Sequence, residues 1–170
     1  CWPQGKAERR YAGVSHIDVE NTSEEYIAYV KDYCAKKSVE ISSLAFYPNA
    51  MDGDLEKRQK NIDHLKKVIN MSALLGVNMV TTFVGRDQNK TVEENLEIFK
   101  EVWPPILQFA KDKGASVIGI TDTESSLVAS IADIKLYAKS ESFDFTLPKP
   151  KDDAVCVLTK GQKQWGNAFM

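Results

Sequence analysis

The sequence predicts an α/β fold built from βα units: an open parallel sheet of four to five strands flanked by helices, flavodoxin-like, with a half-barrel-like N-terminal part. Helical and extended segments alternate along the chain with short connections, the pattern that right-handed crossovers and a parallel sheet require. Three helix-to-strand junctions look alike, Lys37-Ser38-Val39-Glu40-Ile41, Leu75-Gly76-Val77-Asn78-Met79 and Lys113-Gly114-Ala115-Ser116-Val117, with starts spaced evenly along the chain. The length, 170 residues, falls well short of the ~250 typical of a complete (β/α)8 barrel.

The elements follow in order. Thr22-Ser23-Glu24-Glu25 offers a capping box, and Tyr26, Ile27, Val30, Tyr33 and Cys34 come after it at helical spacing, so a helix runs to about Lys37. Val39 to Phe46 alternates and is rich in β-branched residues, a strand that ends in the loop Tyr47-Pro48-Asn49-Ala50-Met51-Asp52-Gly53-Asp54. A second helix spans Leu55 to Leu75, with Ile62, Leu65, Val68, Ile69 and Leu75 on one face and Gly76 at its left-handed cap. Val77 to Val84 is the next strand, released by Gly85. Thr91-Val92-Glu93-Glu94 opens a third helix, which Pro104-Pro105 should kink or restart before it stops at Gly114. Ser116 to Asp122 is a third strand, Ser125 to Ala132 a short helix and Ile134 to Ala138 a fourth strand. Beyond Ser142 come a proline-bearing extended stretch, a fifth strand candidate at Ala154 to Leu158, and a tail from Gly161 to Met170 with no pattern. The whole reads as one α/β domain with an internal junction near 113–116 and residues 143–170 unassigned.

Composition narrows the function classes. With 22 basic and 24 acidic residues intermixed and a net charge of −2, the chain lacks the basic footprint of a nucleic-acid binder. No apolar run approaches the ~20 residues that cross a bilayer, and no secretory signal precedes the first element, so a cytoplasmic protein without a membrane partner is expected. Cys1, Cys34 and Cys156 are odd in number and far apart, which supports neither a disulfide framework nor a cysteine metal site. The start at Cys1-Trp2-Pro3, with no initiator Met, reads as a loop after a strand and points to missing upstream sequence.

Four stretches, Cys1-Trp2-Pro3-Gln4-Gly5-Lys6, Ile41 to Asn49, His64-Leu65-Lys66-Lys67-Val68-Ile69 and Val80-Thr81-Thr82-Phe83-Val84-Gly85-Arg86-Asp87, make residues 1–114 resemble the sugar-phosphate isomerase/epimerase family with the xylose-isomerase-like TIM barrel. The resemblance implies isomerisation or epimerisation of sugars or sugar phosphates by proton transfer next to a carbonyl, usually with a divalent metal. It also implies a metal-binding Glu where Thr121 stands in Ile118-Gly119-Ile120-Thr121-Asp122. With that ligand replaced and only His16 and His64 available as imidazoles, no metal and no other cofactor is expected; a divalent metal belongs only to the alternative, an active isomerase.

From Lys113 to Ser142 the chain resembles the phosphosugar-binding SIS domain, through Lys113 to Leu127 followed by Ala132-Asp133-Ile134. Two resemblances meeting at a helix-Gly-strand junction suggest an engineered chimera; a divergent or truncated gene product is the natural rival. The expected function is therefore that of a scaffold without an intact catalytic site, either phosphosugar-binding or purely structural. A sheet edge leaves a homodimer open to it.

Ligands of parallel α/β folds sit beyond the carboxyl ends of the strands. That edge offers Thr82 for a sugar hydroxyl and Arg86 for a phosphate, or else Arg86-Asp87-Gln88-Asn89 is a polar turn leading to the Thr91 cap. Thr121, Thr123, Ser125 and Ser126 are hydroxyl donors at a helix start that favours an anion. His16, oriented by Asp18 or Glu20, is the candidate acid or base, or simply a loop residue. His64 is expected on a partly exposed helix surface, Trp2 against a sugar or in packing, and Asp52, Asp54 and Glu56 as a cation cluster or a helix cap.

Overall fold

A computed structural model describes residues 1–4, 16–121 and 123–137. The candidate strand at 154–158, the patterns beyond Ser142, Asp122 and Cys156 lie outside the described residues. The chain forms two compact units, Cys1–Ala115 and Ser116–Met170.

In the first unit, α1 (Glu24–Lys36) is capped by Ser23, whose hydroxyl accepts from the Tyr26 amide at 3.2 Å. The cap is thus one residue later than the expected Thr22, and no capping box forms, because the position three beyond Ser23 is Tyr26 and not an acid. α2 (Leu55–Leu75) begins at Asp54, whose carboxylate accepts from the Glu56 and Lys57 amides at 3.0 and 3.1 Å. It buries His64, Leu65, Val68, Met71 and Leu75 along one stripe. α3 (Val92–Asp112) opens with the expected capping box, Thr91 and Glu94 bonding reciprocally.

The restart expected as one outcome at Pro104-Pro105 does not occur: α3 is continuous through both prolines. Both rings lie on the exposed side, while Trp103 and Ile106 on either flank are buried and hold the helix to the core. Tertiary packing has outweighed the local cost of two missing amide donors.

The three look-alike junctions end their helices in one way. Ser38, Gly76 and Gly114 have φ of 53°, 73° and 83°. Each donates its amide to the carbonyl three residues back, and the following residue donates five residues back: Val39 to Cys34, Val77 to Ser72 and Ala115 to Ala110. This is the paired bonding of a left-handed helix terminus.

The short strands β1 (Leu44–Ala45) and β2 (Val80–Thr81) pair in parallel, Leu44 opposite Val80 and Ala45 opposite Thr81. Phe46, Met51, Leu65, Val68, Met71 and Ile106 are the most deeply buried side chains, so the core lies between this strand pair and α2 and α3.

The second unit is a β-α-β turn: β3 (Ile118–Thr121), α4 (Leu127–Ile131) and β4 (Ile134–Tyr137), with the strands parallel. The α/β class with parallel strands and flanking helices is as expected. Among the described residues, the hydrogen-bonded strand pairs are β1 with β2 and β3 with β4. α4 and its cap lie close against Gly119: a Cβ there would meet the Ala132 Cβ at 2.8 Å and Val128 Cγ1 at 3.0 Å. Ile118, Ile120, Ile134 and Leu136 are exposed. Their register places them on the strand face opposite Gly119.

Candidate functional site

The carboxyl ends of β1 and β2 run into two loops that are tied together. Tyr47 follows β1 and stacks on Phe83 with ring centroids 4.6 Å apart, and its hydroxyl lies 3.0 Å from Thr81 Oγ1. Two residues on, Asn49 reaches across: its Nδ2 donates to the Arg86 carbonyl at 2.6 Å, and its Oδ1 accepts from the Arg86 amide at 3.0 Å. The same Oδ1 accepts from the Met51 amide at 3.0 Å, a turn typical of Asn. Gly85 has φ 78°, and a Cβ there would stand 2.0 Å from Asn49 Oδ1. The close approach requires glycine on both counts.

Arg86 is half-buried, and among the described residues its guanidinium has no ion-pair partner. Asp87 beside it is 6% exposed and accepts from the Asn89 amide at 3.0 Å. The buried Asn95 of α3 accepts from the Asp87 amide and donates to the carbonyls of Asp87, Lys90 and Thr91. The Asp87 to Thr91 stretch is therefore both a firmly held turn and the lead into the α3 cap. Trp103 adds a bond from Nε1 to the Val84 carbonyl at 3.1 Å.

The other candidates are placed as follows. Thr82 sits between Thr81 and Phe83, and its Oγ1 is buried without a hydrogen-bond partner among the described residues. His16 is exposed. The carboxylates expected to orient it are engaged elsewhere: Glu20 pairs with Lys67, which holds the Glu20 carboxyl below its usual range, and Asp18 Oδ1 accepts from the Glu20 amide. Asp54 caps α2, Asp52 pairs with Lys57 at 2.8 Å and Glu56 with Lys60 at 2.7 Å, so the acidic cluster is spent on its own helix. The hydrogen bond from Lys57 keeps Asp52 below the usual carboxylate range.

His64 is not on an exposed helix surface: it is 5% exposed. Its ring lies 4.6 Å from that of Phe46, which Trp2 meets edge-on at 6.0 Å, so Trp2 serves packing. The flanking Lys66 and Lys67 obscured the fact that His64 falls on the stripe of Leu65, Val68 and Met71.

In the second unit the hydroxyls serve one another. Thr123 and Ser125 hydroxyls are 3.1 Å apart, and Ser126 caps α4 by accepting from the Ala129 amide at 3.0 Å. Thr121 is the last residue of β3 and half-buried. Among the described residues no three His, Cys, Asp or Glu side chains gather to hold a metal ion, so the ligand set implied by the resemblance is not assembled there. Cys1 and Cys34 are free thiols, and no helix among the described residues is long and apolar enough to cross a membrane.

Phe83, Thr81 and the Asn49 clamp are the features that the sequence reading did not single out. The two-residue spacing of Thr81 and Phe83 places them on one side of an extended chain, which is the signal that finds them.

Comparison with known proteins adds the following. The profile of a family described as "Xylose isomerase-like TIM barrel" matches residues 7–133. Similar solved structures include the following two. One is a protein assigned as a xylose isomerase from Rhodospirillum rubrum ATCC 11170, at 17% identity and a TM-score of 0.48, with 66% of this chain and 47% of that one covered. The other is a xylose isomerase domain protein from Planctomyces limnophilus, at 12% identity and a TM-score of 0.39, covering 61% and 42%. The chain thus spans less than half the length of either. No curated protein matches. The family match crosses residues 113–116 without a break, and nothing in these comparisons supports a phosphosugar-binding SIS segment or a recombined chain.

Proposed function

The chain belongs to the xylose isomerase-like TIM barrel family, and from that premise we propose that it is a relative of sugar isomerases and epimerases that holds a sugar phosphate at the Tyr47, Thr81, Phe83 and Arg86 rim without completing a catalytic centre of its own. The observation that carries the reading is the stacked Tyr47–Phe83 pair with the Thr81 hydroxyl against it, at the carboxyl ends of the paired strands. Aromatic faces take the apolar C–H side of a sugar ring, and hydroxyls take its polar edge. Arg86, half-buried and without an ion-pair partner among the described residues, supplies the fork geometry that suits a phosphate.

Proton transfer next to a carbonyl needs a base held within hydrogen-bond reach of the substrate. His16 is exposed, and Asp18 and Glu20 are bonded to other partners, which speaks against His16 in that role. Thr123, Ser125 and Ser126 satisfy each other and the α4 cap, which leaves the rim of the first unit as the better phosphosugar site.

The test is calorimetric titration with fructose 6-phosphate and with fructose, on the chain and on Arg86→Ala. Binding of the phosphate ester, lost or strongly weakened in the variant, is the expected result. Turnover of a ketose phosphate with added divalent metal would overturn the non-catalytic part, and indifference of binding to Arg86→Ala would overturn the site.

A further inference from the structure

We infer that Asn49 is the positioning residue that gives this site its preference for phosphorylated over neutral sugars, an inference that rests on the reading of Arg86 just given. Asn49 holds Arg86 by both of its backbone groups, donating to the carbonyl at 2.6 Å and accepting from the amide at 3.0 Å. Asn49 is anchored in turn: its own carbonyl accepts from Asn61 Nδ2 of α2 at 3.0 Å, and its Oδ1 is shared with the Met51 amide. The arginine backbone is thereby fixed to a capped, well-buried helix, while the guanidinium is left without an ion-pair partner among the described residues.

The arrangement has a specific consequence. A long cation binds an anion tightly only when little conformational freedom is lost on binding, and fixing its backbone removes part of that cost beforehand. The rings of Tyr47 and Phe83 contact each other directly and do not depend on the Asn49 side chain. Removing the clamp should therefore weaken the grip on phosphate and leave the grip on the sugar ring in place.

The decisive variant is Asn49→Ser. A serine hydroxyl still accepts from the amide two residues on, preserving the local turn, but is too short to bridge to both groups of Arg86. Affinities for fructose 6-phosphate and fructose are measured by calorimetry at a temperature well below the melting transition. The ratio of the two affinities should fall about tenfold in Asn49→Ser, with the affinity for fructose unchanged. An unchanged ratio, or an equal loss for both ligands, overturns the inference while leaving the site itself standing. If the chain shows no preference for the phosphate ester, or if Arg86→Ala leaves that preference intact, the phosphosugar reading falls and the inference falls with it. Should Asn49→Ser fail to fold, Asn61→Ala provides a second test, because it frees the Asn49 carbonyl from α2 and loosens the clamp with the Asn49 side chain still present; the ratio should fall there too, and an unchanged ratio overturns the inference.

Discussion

The Nε2 atom of His64 lies 2.9 Å from the carbonyl oxygen of Cys1, joining the middle of α2 to the first residue of the chain. A carbonyl only accepts, so Nε2 carries the hydrogen and an added proton must go to Nδ1. Burial against Phe46 disfavours the charged ring, the Lys67 ammonium adds to that effect, and Glu20 opposes it; together they lower the His64 pKa from its ordinary value of 6.5. The unfolded chain therefore takes up a proton near pH 6.5 that the folded chain refuses. The contribution is fully present above that pH and is lost as pH falls toward the lowered value. Melting temperatures between pH 8 and pH 5 should decline on the acid side, and His64→Phe should flatten that part of the profile. An identical decline in the variant would show that other groups set it.

Ser38 occupies the left-handed position that Gly76 and Gly114 fill at the other two junctions. A side chain costs roughly 1 kcal/mol there. Ser38→Gly should raise stability by a few tenths to about 1 kcal/mol, the gain being reduced by the extra freedom glycine has when unfolded. Gly76→Ala should lower it by about 1 kcal/mol: no atom lies within 4 Å of the added Cβ, so the cost is conformational alone. Urea denaturation with unchanged slope measures both.

Much of this was legible in local chemistry. Asp54 and Gly76 bracket α2 at the residues their side chains require, and Thr91 with Glu94 fixes the start of α3. What was not legible depends on contacts distant in sequence. The burial of His64 needs Phe46 and Cys1, and the continuity of α3 through Pro104 is supported by Trp103 bonded to Val84. At the candidate site, Arg86 and the strand ends could be read from the βα pattern. The Asn49 clamp could not, because its two partners lie 37 residues apart. The register of β1 on β2 is likewise barely encoded in a ladder of two residues.

Asn95 shows how much one buried amide can carry. It is 5% exposed, donates to the carbonyls of Asp87, Lys90 and Thr91, and accepts from the Asp87 amide. Truncation leaves several polar groups unsatisfied at once, each costing about 1–3 kcal/mol where water cannot reach it. Asn95→Ala should destabilise the first unit by roughly 2–4 kcal/mol. Asn95→Asp, which keeps the acceptor but loses every donor, should cost a large part of that. Chemical denaturation checks the size. Rapid hydrogen exchange at the Asp87 amide in Asn95→Ala, with protection retained in Asn95→Asp, would confirm the assigned roles.

Pro105 lies inside α3 with no amide to give to the Glu101 carbonyl, and Pro104 leaves the Lys100 carbonyl in the same position. An interior proline costs a helix about 3 kcal/mol relative to alanine. Here both residues are exposed, so water can bond the orphaned carbonyls and part of the cost is recovered. Alanine also frees the unfolded chain, which offsets a further fraction of any gain. Pro105→Ala should therefore stabilise the protein by about 1–2 kcal/mol, less than the full propensity difference. Trp103→Phe, by contrast, should destabilise it, because the Val84 carbonyl loses the indole N–H donor. If the prolines were instead required to set the direction of α3, Pro105→Ala would lower the melting temperature and disturb the packing of Trp103, which its fluorescence would report.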